Sequence, residues 1–419
     1  MRRYLPPLAW AALVPLSSFA QVNAPDAPQR PALPMTLQQV QEAAFARHPD
    51  LVAAAHEVEA AEAARQQAGA RPNPTLSAEV EDTRRATRNT TLLLSQPFEL
   101  GGKRAARLGL AERAHEVALA DVAIRRADVR AAATSAFFDT LIAQERERLA
   151  EASLQLSQRG SQAVRNRVTA GKVSPIEDTR ARLLEAGVQM ELLRARSELA
   201  TARQRLGSAL AQPELLVQAV ENVALTLPPS VTGAAFEPLL QQAPATQRAE
   251  AEAARAAAQV EVERSRQTPD VTLSLGARRE ADTQRQMAVV GVSIPLPLFD
   301  THRGAVLEAQ RRADKAQAEL QSTRLRLALE ARVAAEQLRA ARAEAELLSS
   351  DMLPGAQNAY DATVTGYELG KFGLTEVLDA QRSLLQAKSQ YIQSLSSAHR
   401  AAADLERLIG KPVNPTLAK

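Results

Sequence analysis

The fold of this 419-residue chain is decided by the stretch 95-SQPFELGGKRAAR-107. A strand-like apolar run ends there in Pro97-Phe98, two glycines follow, and the next proline is Pro175. The long interval without proline predicts one helix from Lys103 to about Val168, on the order of 100 Å at a rise of about 1.5 Å per residue. Pro97 is expected to end strand pairing, and Gly101-Gly102 are expected to allow the turn from strand into helix.

The second half of the chain repeats this plan. The stretch 293-SIPLPLFDTHRGAV-306 again leads from a strand into a long helix, from Arg303. The turn glycines Gly171 and Gly370, each followed by lysine, are 199 residues apart. Strands and turns recur together, which two alanine-rich helices would not produce by composition alone. The chain is therefore predicted to be a duplicated unit of helix, two strands, long helix and second helix.

Predicted boundaries follow from these units. The first unit begins with a helix broken near Pro49, and its second helix ends near Leu210; the last helix of the chain ends near Ile409. The four strands are predicted at 71–82, 90–100, 269–280 and 287–299. The predicted segments are a signal peptide 1–20, a proline-rich linker 21–35, a first repeat 36–211, a connecting segment 212–232, a second repeat 233–411 and a tail 412–419.

Composition favours long helices and export. Aromatic residues are only 3% and alanine dominates the apolar fraction, which suits closely packed helices. The 51 Lys and Arg nearly balance the 48 Asp and Glu, and no basic block marks a nucleic-acid surface. The positive start MRRY, an apolar run and a small-residue site at Ala20 predict cleavage of a signal peptide. Because the chain has no cysteine, disulfides, thiolate metal sites and a lipid-modified cysteine are excluded.

The strands alternate in polarity. Leu76, Ala78 and Val80 alternate with polar residues, and the second repeat has the same pattern at Leu273 and Val290. Both a lipid-facing barrel strand and an ordinary half-buried sheet give this pattern. Four strands cannot close into a barrel, and an open sheet in hydrocarbon would leave edge hydrogen bonds unsatisfied. If the sheet lies in a membrane, several chains must contribute strands to one barrel.

The stretches between strands and long helices are interpreted as joints between a membrane barrel and a tube of helices. Helices of this length need neighbours on both sides, and phenylalanines at the joints are suited to a membrane interface. The joint residues are Pro97, Phe98, Gly101, Gly102, Pro295 and Phe299.

No arrangement of residues predicts catalysis. The five histidines are scattered, the five methionines do not cluster, and no P-loop or GxSxG motif occurs. The sequence predicts no enzyme activity, no cofactor and no metal site.

The duplicated plan, with QPFELGGKR at 96–104, IPLPLF at 294–299 and GYELGKFGLTEVLDAQRSLLQAK at 366–388, resembles the TolC-like outer-membrane efflux proteins, in particular their CzcC-type heavy-metal branch. The resemblance covers residues 36–411. It implies a mainly α homotrimer in which four strands per chain form a β-barrel in outer-membrane lipid, continued by a periplasmic α-helical barrel. It also implies two partners, a periplasmic membrane-fusion adaptor and an inner-membrane transporter of the resistance-nodulation-division type. The low aromatic content departs from the family's interfacial girdle.

The resemblance places functional positions at the far ends of the long helices. The turns would be periplasmic tips that dock the adaptor, Pro354-Gly355 would kink the helix as a hinge, and Asp361 and Glu368 would form a pore gate if they point inward. Surface acids are more often simply solvated, and the tips could be plain helix terminators. The tip residues are Gly171, Lys172, Val173, Ser174, Gly370, Lys371, Phe372, Gly373 and Leu374.

The function predicted from these observations is the passive exit duct of a three-part efflux pump, with heavy-metal cations as cargo. Organic drugs and a polypeptide secreted by a type I system are alternative cargoes for the same fold. A soluble periplasmic coiled-coil adaptor or scaffold is the alternative from another class.

Overall fold

A computed structural model describes residues 34–82, 84–214, 217, 219–221, 226–230 and 238–412. The predicted signal peptide, almost all of the predicted linker and the predicted tail beyond residue 412 lie outside these described residues.

The order of the elements repeats once along the chain. The first half has helices α1 (Leu37–Arg47) and α2 (Pro49–Ala68), strands β1 (Thr75–Glu81) and β2 (Asn89–Phe98), and helices α3 (Lys103–Thr169) and α4 (Pro175–Ala209). The second half has helix α5 (Pro244–Ser265), strands β3 (Val271–Glu280) and β4 (Gln286–Ser293), helices α6 (Arg303–Leu347) and α7 (Leu353–Glu368) joined by a π-helical turn (Leu348–Met352), and helix α8 (Leu374–Ile409). The predicted duplication and the predicted long helices are confirmed.

Two predictions about the strands are wrong. β4 ends at Ser293, because Pro295 and Pro297 have no N–H to continue a ladder. Pro97 does not end strand pairing, since it lies within β2 opposite Thr272 and pairing continues to the next residue. β1 begins at Thr75, opposite Ser95, so at Pro97 the strand β2 has only β3 beside it, and a residue without an N–H is tolerated there.

The four strands form one antiparallel sheet in the order β1-β2-β3-β4. All four connections to helices leave from the same end of the sheet, and both hairpin turns lie at the other end. Within the described residues β1 and β4 each pair with one strand, so both outer edges of the sheet are open there.

The helices pack side by side in a fixed order. α3 contacts α4 on one side and α8 on the other, and α8 in turn contacts α6 and α7. Nearer the sheet, α2 and α5 both pack on α3. The largest buried side chains where α1, α3 and α4 meet are Phe137, Leu141 and Leu206. None of the helices in the described part of the chain is long and apolar enough to cross a membrane.

His399 of α8 is buried against α3, and this burial predicts an acid-sensitive fold. Its ring stacks on Phe138 at 3.8 Å between centroids, and burial lowers its pKa from 6.5 to about 4. Between pH 6.5 and about pH 4, the imidazole of His399 is therefore protonated in the unfolded chain but neutral in the folded chain. The free energy of unfolding is therefore unaffected by this group above pH 6.5 and falls as the pH drops towards 4. The loss linked to His399 is about 3 kcal/mol, at about 1.4 kcal/mol per pKa unit.

The measurement is the thermal midpoint between pH 7 and pH 4. His399→Leu should remove this part of the acid dependence, whereas His56→Gln, at an exposed position, should keep it. Equal slopes in the wild type and His399→Leu would contradict the prediction.

Candidate functional site: an exposed apolar sheet face and two helical tips

One face of the sheet is apolar and exposed along all four strands. Leu275 is 62% exposed and Val290, which lies opposite it, is 75% exposed. In register, the central rows of this face are Leu76–Leu94–Leu275–Val290 and Ala78–Leu92–Ala277–Ala288, and Leu273–Val292 lie one row nearer the helices. A continuous exposed apolar surface of this kind marks a site of contact with a membrane or with another protein.

The opposite face of the sheet is polar. The hydroxyl oxygens of Ser95 and Ser274 lie 2.9 Å apart, and Arg278 Nη2 donates to Glu81 Oε2 at 2.8 Å. β1 and β3 thus present apolar residues to one side and mostly polar residues to the other, as the sequence pattern predicted. β2 and β4 alternate less strictly, because Leu93, Met287 and Val289 lie on the polar side. This arrangement matches a strand that faces lipid on one side and water on the other.

The first joint between strand and helix is held together by a residue of the second repeat. Asp270 Oδ1 accepts hydrogen bonds from Leu100 N at 3.1 Å and from Lys103 Nζ at 2.7 Å. Gly101 and Gly102 have φ values of 68° and 74°, which favour glycine, and a Cβ on Gly101 would lie 2.6 Å from Thr268 Cβ. Sequence reasoning missed Asp270; its place just before β3 was the available signal.

The second joint reaches the long helix by a similar route. His302 precedes α6 with φ 53°, in the same left-handed region that Gly102 occupies before α3. Its N–H bonds to Asp300 Oδ1 at 2.9 Å. Pro295 and Phe299 lie between β4 and this turn, and the Phe299 side chain is 99% exposed. The membrane-interface role of the joint residues stays a prediction.

The two predicted tips have the same backbone geometry. α3 is followed by Gly171 with φ 68°, and α7 is followed by Gly370 with φ 72°. In both, the next N–H bonds to the carbonyl five residues earlier in the manner of a Schellman motif, Lys172 N to Arg167 O at 2.9 Å and Lys371 N to Gly366 O at 2.8 Å. These bonds are also 199 residues apart, so the duplication extends to the hydrogen bonds of the turns.

The structure brings the two tips together. Arg167 Cζ of α3 lies 4.2 Å from the ring centroid of Tyr367 in α7, and its Nη2 donates to the carbonyl of the same residue at 3.4 Å. Tyr367 and Val168 both pack against a small apolar cluster, whose buried members are Val164 and Ala181. Sequence reasoning missed this contact, although the 199-residue offset pairs the two turns.

A buried carboxylate ties the first hairpin together near its tip. Asp178 of α4 is 8% exposed, pairs with Arg182 one turn on, and lies 3.7 Å from Arg165 Nε of α3. The hydrogen bond from Arg182, and to a lesser extent the charge of Arg165, holds the pKa of Asp178 below its usual value.

At the second tip, Phe372 packs directly on Gly366, and this contact can be tested. A Cβ on Gly366 would lie 2.1 Å from Phe372 Cδ2, so Gly366→Ala should push the ring away and weaken the turn by about 1–3 kcal/mol. Hydrogen exchange of the Lys371 and Phe372 amides, both bonded to Gly366 O, should then speed up about tenfold or more.

Gly160→Ala is the matched control, because Gly160 is also helical and a Cβ there meets nothing within 4 Å. It should leave exchange at the tip unchanged. If both variants exchanged like the wild type, the packing of Phe372 would not hold the turn.

The residues proposed for a hinge and a gate lie on one helical segment. Pro354 comes shortly after the π-helical turn Leu348–Met352. The i→i+5 hydrogen bonds of this turn accommodate a proline, which has no backbone N–H to donate. α-Helical structure resumes at Leu353. Asp361 accepts a hydrogen bond from Gln357 at 3.0 Å, and both it and Glu368 are exposed. Gly355 has open space around it. The hinge and gate roles stay predictions.

Histidines and carboxylates are not gathered into a ligand set in the described residues. Within those ranges no group of three or more His, Asp or Glu is placed to hold a metal ion. His48 caps α2 through Asp50 N, His56 contacts Glu59 at 3.1 Å, and His399 lies in the helical core.

Comparison with known proteins gives a consistent result. The family model described as outer membrane efflux protein matches residues 40–212 and 236–411. The cobalt-zinc-cadmium resistance protein CzcC of Cupriavidus metallidurans is 41% identical over 418 residues, which is 98% of this chain and 100% of that protein. The nickel-cobalt-cadmium resistance protein NccC of Alcaligenes xylosoxydans xylosoxydans is 30% identical over 74% of this chain and 70% of its own.

Among solved structures, the outer-membrane channel OprN superposes with a TM-score of 0.77 over 89% of each chain, at 22% identity, which shows the fold. The two family matches cover both repeats, and CzcC aligns over nearly the whole chain. This chain belongs to the outer membrane efflux protein family.

Proposed function

We propose that this protein is a homotrimeric channel-tunnel of the outer membrane and the passive exit duct of a three-part efflux pump. The observation that supports it best is the exposed apolar sheet face, which has open edges on both sides and is joined directly to a helix of 67 residues. A single copy leaves this face and both edges without partners. Three copies with four strands each would close the edges and turn the apolar face towards lipid.

The same closure accounts for the helices. In one chain α4 and α6–α7 are the outer members of the row, so in a ring the α4 of one copy would meet the α6–α7 segment of the next. α4 exposes apolar side chains seven residues apart at Ile176, Leu183 and Met190, and the facing segment exposes Leu347 and Met352. Heptad spacing is the pattern of a seam between long helices.

Such a duct would conduct its cargo passively, through the shape of its passage. The polar sheet face would line the barrel, the helices would continue the passage through the periplasm, and the two joined tips would meet the adaptor. Energy and direction would come from an inner-membrane transporter of the resistance-nodulation-division type. The resistance proteins CzcC and NccC carry metal names, and their similarity to this chain favours heavy-metal cations as cargo.

The duct is tested on protein purified from detergent-extracted outer membranes. Its mass in detergent should correspond to three copies, and planar bilayers should show discrete conductance steps. A soluble monomer without conductance would overturn the duct and favour a periplasmic scaffold.

The cargo is tested in cells that lack the gene. Loss of the protein should increase sensitivity to Zn²⁺, Co²⁺ or Cd²⁺ and leave sensitivity to a panel of organic drugs unchanged. The reverse result would keep the duct but change the cargo.

Adaptor docking is tested at the tip. Phe372→Ala should reduce co-purification of the adaptor while the trimer mass and conductance are retained. Unchanged co-purification would remove Phe372 from the docking surface.

A further inference from the structure

The charges at the hairpin end of the sheet are divided between its two faces. On the polar face, Arg278 is paired with Glu81 at 2.8 Å and lies 3.9 Å from Glu280. On the apolar face, the register places Arg279 opposite Thr90, in the row next to Ala277. The arginine of the polar face is thus neutralised by carboxylates, whereas its neighbour in sequence lies at the border of the apolar surface.

Further arginines surround this border. Ala281 N donates to Arg88 O at 3.0 Å, which extends the β2–β3 ladder by one pair and places Arg88 on the same side as Thr90. Arg84 and Arg85 follow in the turn after β1. The border arginines are Arg84, Arg85, Arg88 and Arg279. Arg285 is not one of them, because its carbonyl accepts from Glu280 N at 3.0 Å, which places it opposite Glu280 on the polar face.

The side chains of these four arginines have no partner in the described part of the chain. All four are exposed, and none of their guanidinium groups makes a hydrogen bond or an ion pair with another described residue. Of the nearby carboxylates, Asp82 accepts hydrogen bonds from Arg84 N and Thr87 Oγ1, and Asp282 accepts one from Thr283 N. These neutral donors leave both carboxylates charged, but four arginines lie beside two carboxylates, so the border carries an excess of positive charge.

The position of this charge identifies its partner. Phe98 and Val271, at the other end of the apolar face, are about 27 Å along the strand from Arg279, at about 3.4 Å per residue. That distance is comparable with the apolar band of about 25 Å on membrane barrels, before strand tilt is allowed for. Arginines at its edge would lie at the level of the lipid headgroups, where guanidinium groups bind phosphate in a bidentate manner.

We propose that Arg84, Arg85, Arg88 and Arg279 form a lipid-binding collar that holds phosphorylated headgroups of the membrane leaflet at the hairpin end. This inference rests on the proposed function, because it requires the apolar face to lie in a membrane. The inward pair of Arg278 and Glu81 takes no part, since its charges already satisfy each other.

The test titrates the purified trimer in detergent with lipid A, a phosphorylated lipid, and counts bound lipid by native mass spectrometry. Arg88→Gln/Arg279→Gln should lose about tenfold or more in lipid A affinity, since each headgroup-level arginine contributes about fivefold. Arg88→Lys/Arg279→Lys should retain most of it. Arg278→Gln, which removes the same charge from the inward face, should bind lipid A like the wild type.

Trimer mass and conductance are measured on the same samples, so failure of the duct is seen separately from failure of the collar. If Arg88→Gln/Arg279→Gln does not assemble, Arg84→Gln/Arg85→Gln, outside the strand ladder, provides the same measurement. Undiminished lipid A binding by the assembled Gln variant would overturn the proposal. Complete displacement of lipid A by inorganic phosphate would also overturn it, because the site would then be specific for free phosphate.

Discussion

Leu275→Arg should abolish assembly of the protein in the outer membrane. Leu275 lies in the central apolar row of β3, between Leu94 and Val290, and is 62% exposed. If that face meets lipid, an arginine near the middle of the bilayer costs about 2–4 kcal/mol, and a trimer incurs this cost three times. The total is comparable with the whole stability of an ordinary domain.

The measurement is the amount of trimer recovered from the outer-membrane fraction, together with its conductance. Ser274→Arg is the matched control, because it places the same side chain on the adjacent residue and on the opposite face. That face already holds Arg278, so the control should assemble. If Leu275→Arg assembled while Ser274→Arg did not, the two faces of the sheet would have been assigned the wrong way round.

The long helices could be predicted from sequence because their limits are set by local chemistry. Proline is absent from Lys103 to Thr169. Gly171 and Gly370, both in the left-handed conformation, follow the ends of the helices α3 and α7. Each of these signals acts within one or two turns of the chain. The same reasoning failed at Pro97, where the outcome depends on which neighbouring strand is present. That information lies in the ladder with Thr272, which is distant in sequence.

The environment of the sheet could not be decided from the strands alone. Alternation of apolar and polar residues fits a half-buried sheet as well as a lipid-facing one. The structure shows that no helix or second sheet among the described residues covers Leu275 or Val290, so this chain by itself does not bury that face. Contacts between the repeats were beyond sequence reasoning for a related reason. Asp270 meets Lys103 only when β2 and β3 pair, and Arg167 meets Tyr367 only when the two hairpins pack together.

Gly276→Ala should strongly destabilise the sheet, although it adds only one methyl group. Gly276 of β3 lies opposite Leu93, and a Cβ there would be 2.0 Å from the carbonyl oxygen of Leu92. This oxygen belongs to the backbone of β2, so no side-chain rotation can relieve the clash. The two strands must separate locally, and overpacking of this kind costs about 1–3 kcal/mol or more per site.

Gly291→Ala is the control for this substitution. Gly291 lies on the same polar face in β4, but a Cβ there would be 3.6 Å from Ser274 Cβ, an ordinary contact. Calorimetry of the detergent-solubilised trimer should show a midpoint lowered by several degrees for Gly276→Ala and little change for Gly291→Ala. β2–β3 is the pairing that joins the two repeats, so its loss would separate the halves of each chain's sheet. Equal midpoints for the two variants would mean that β2 and β3 do not approach each other as closely as the structure has them.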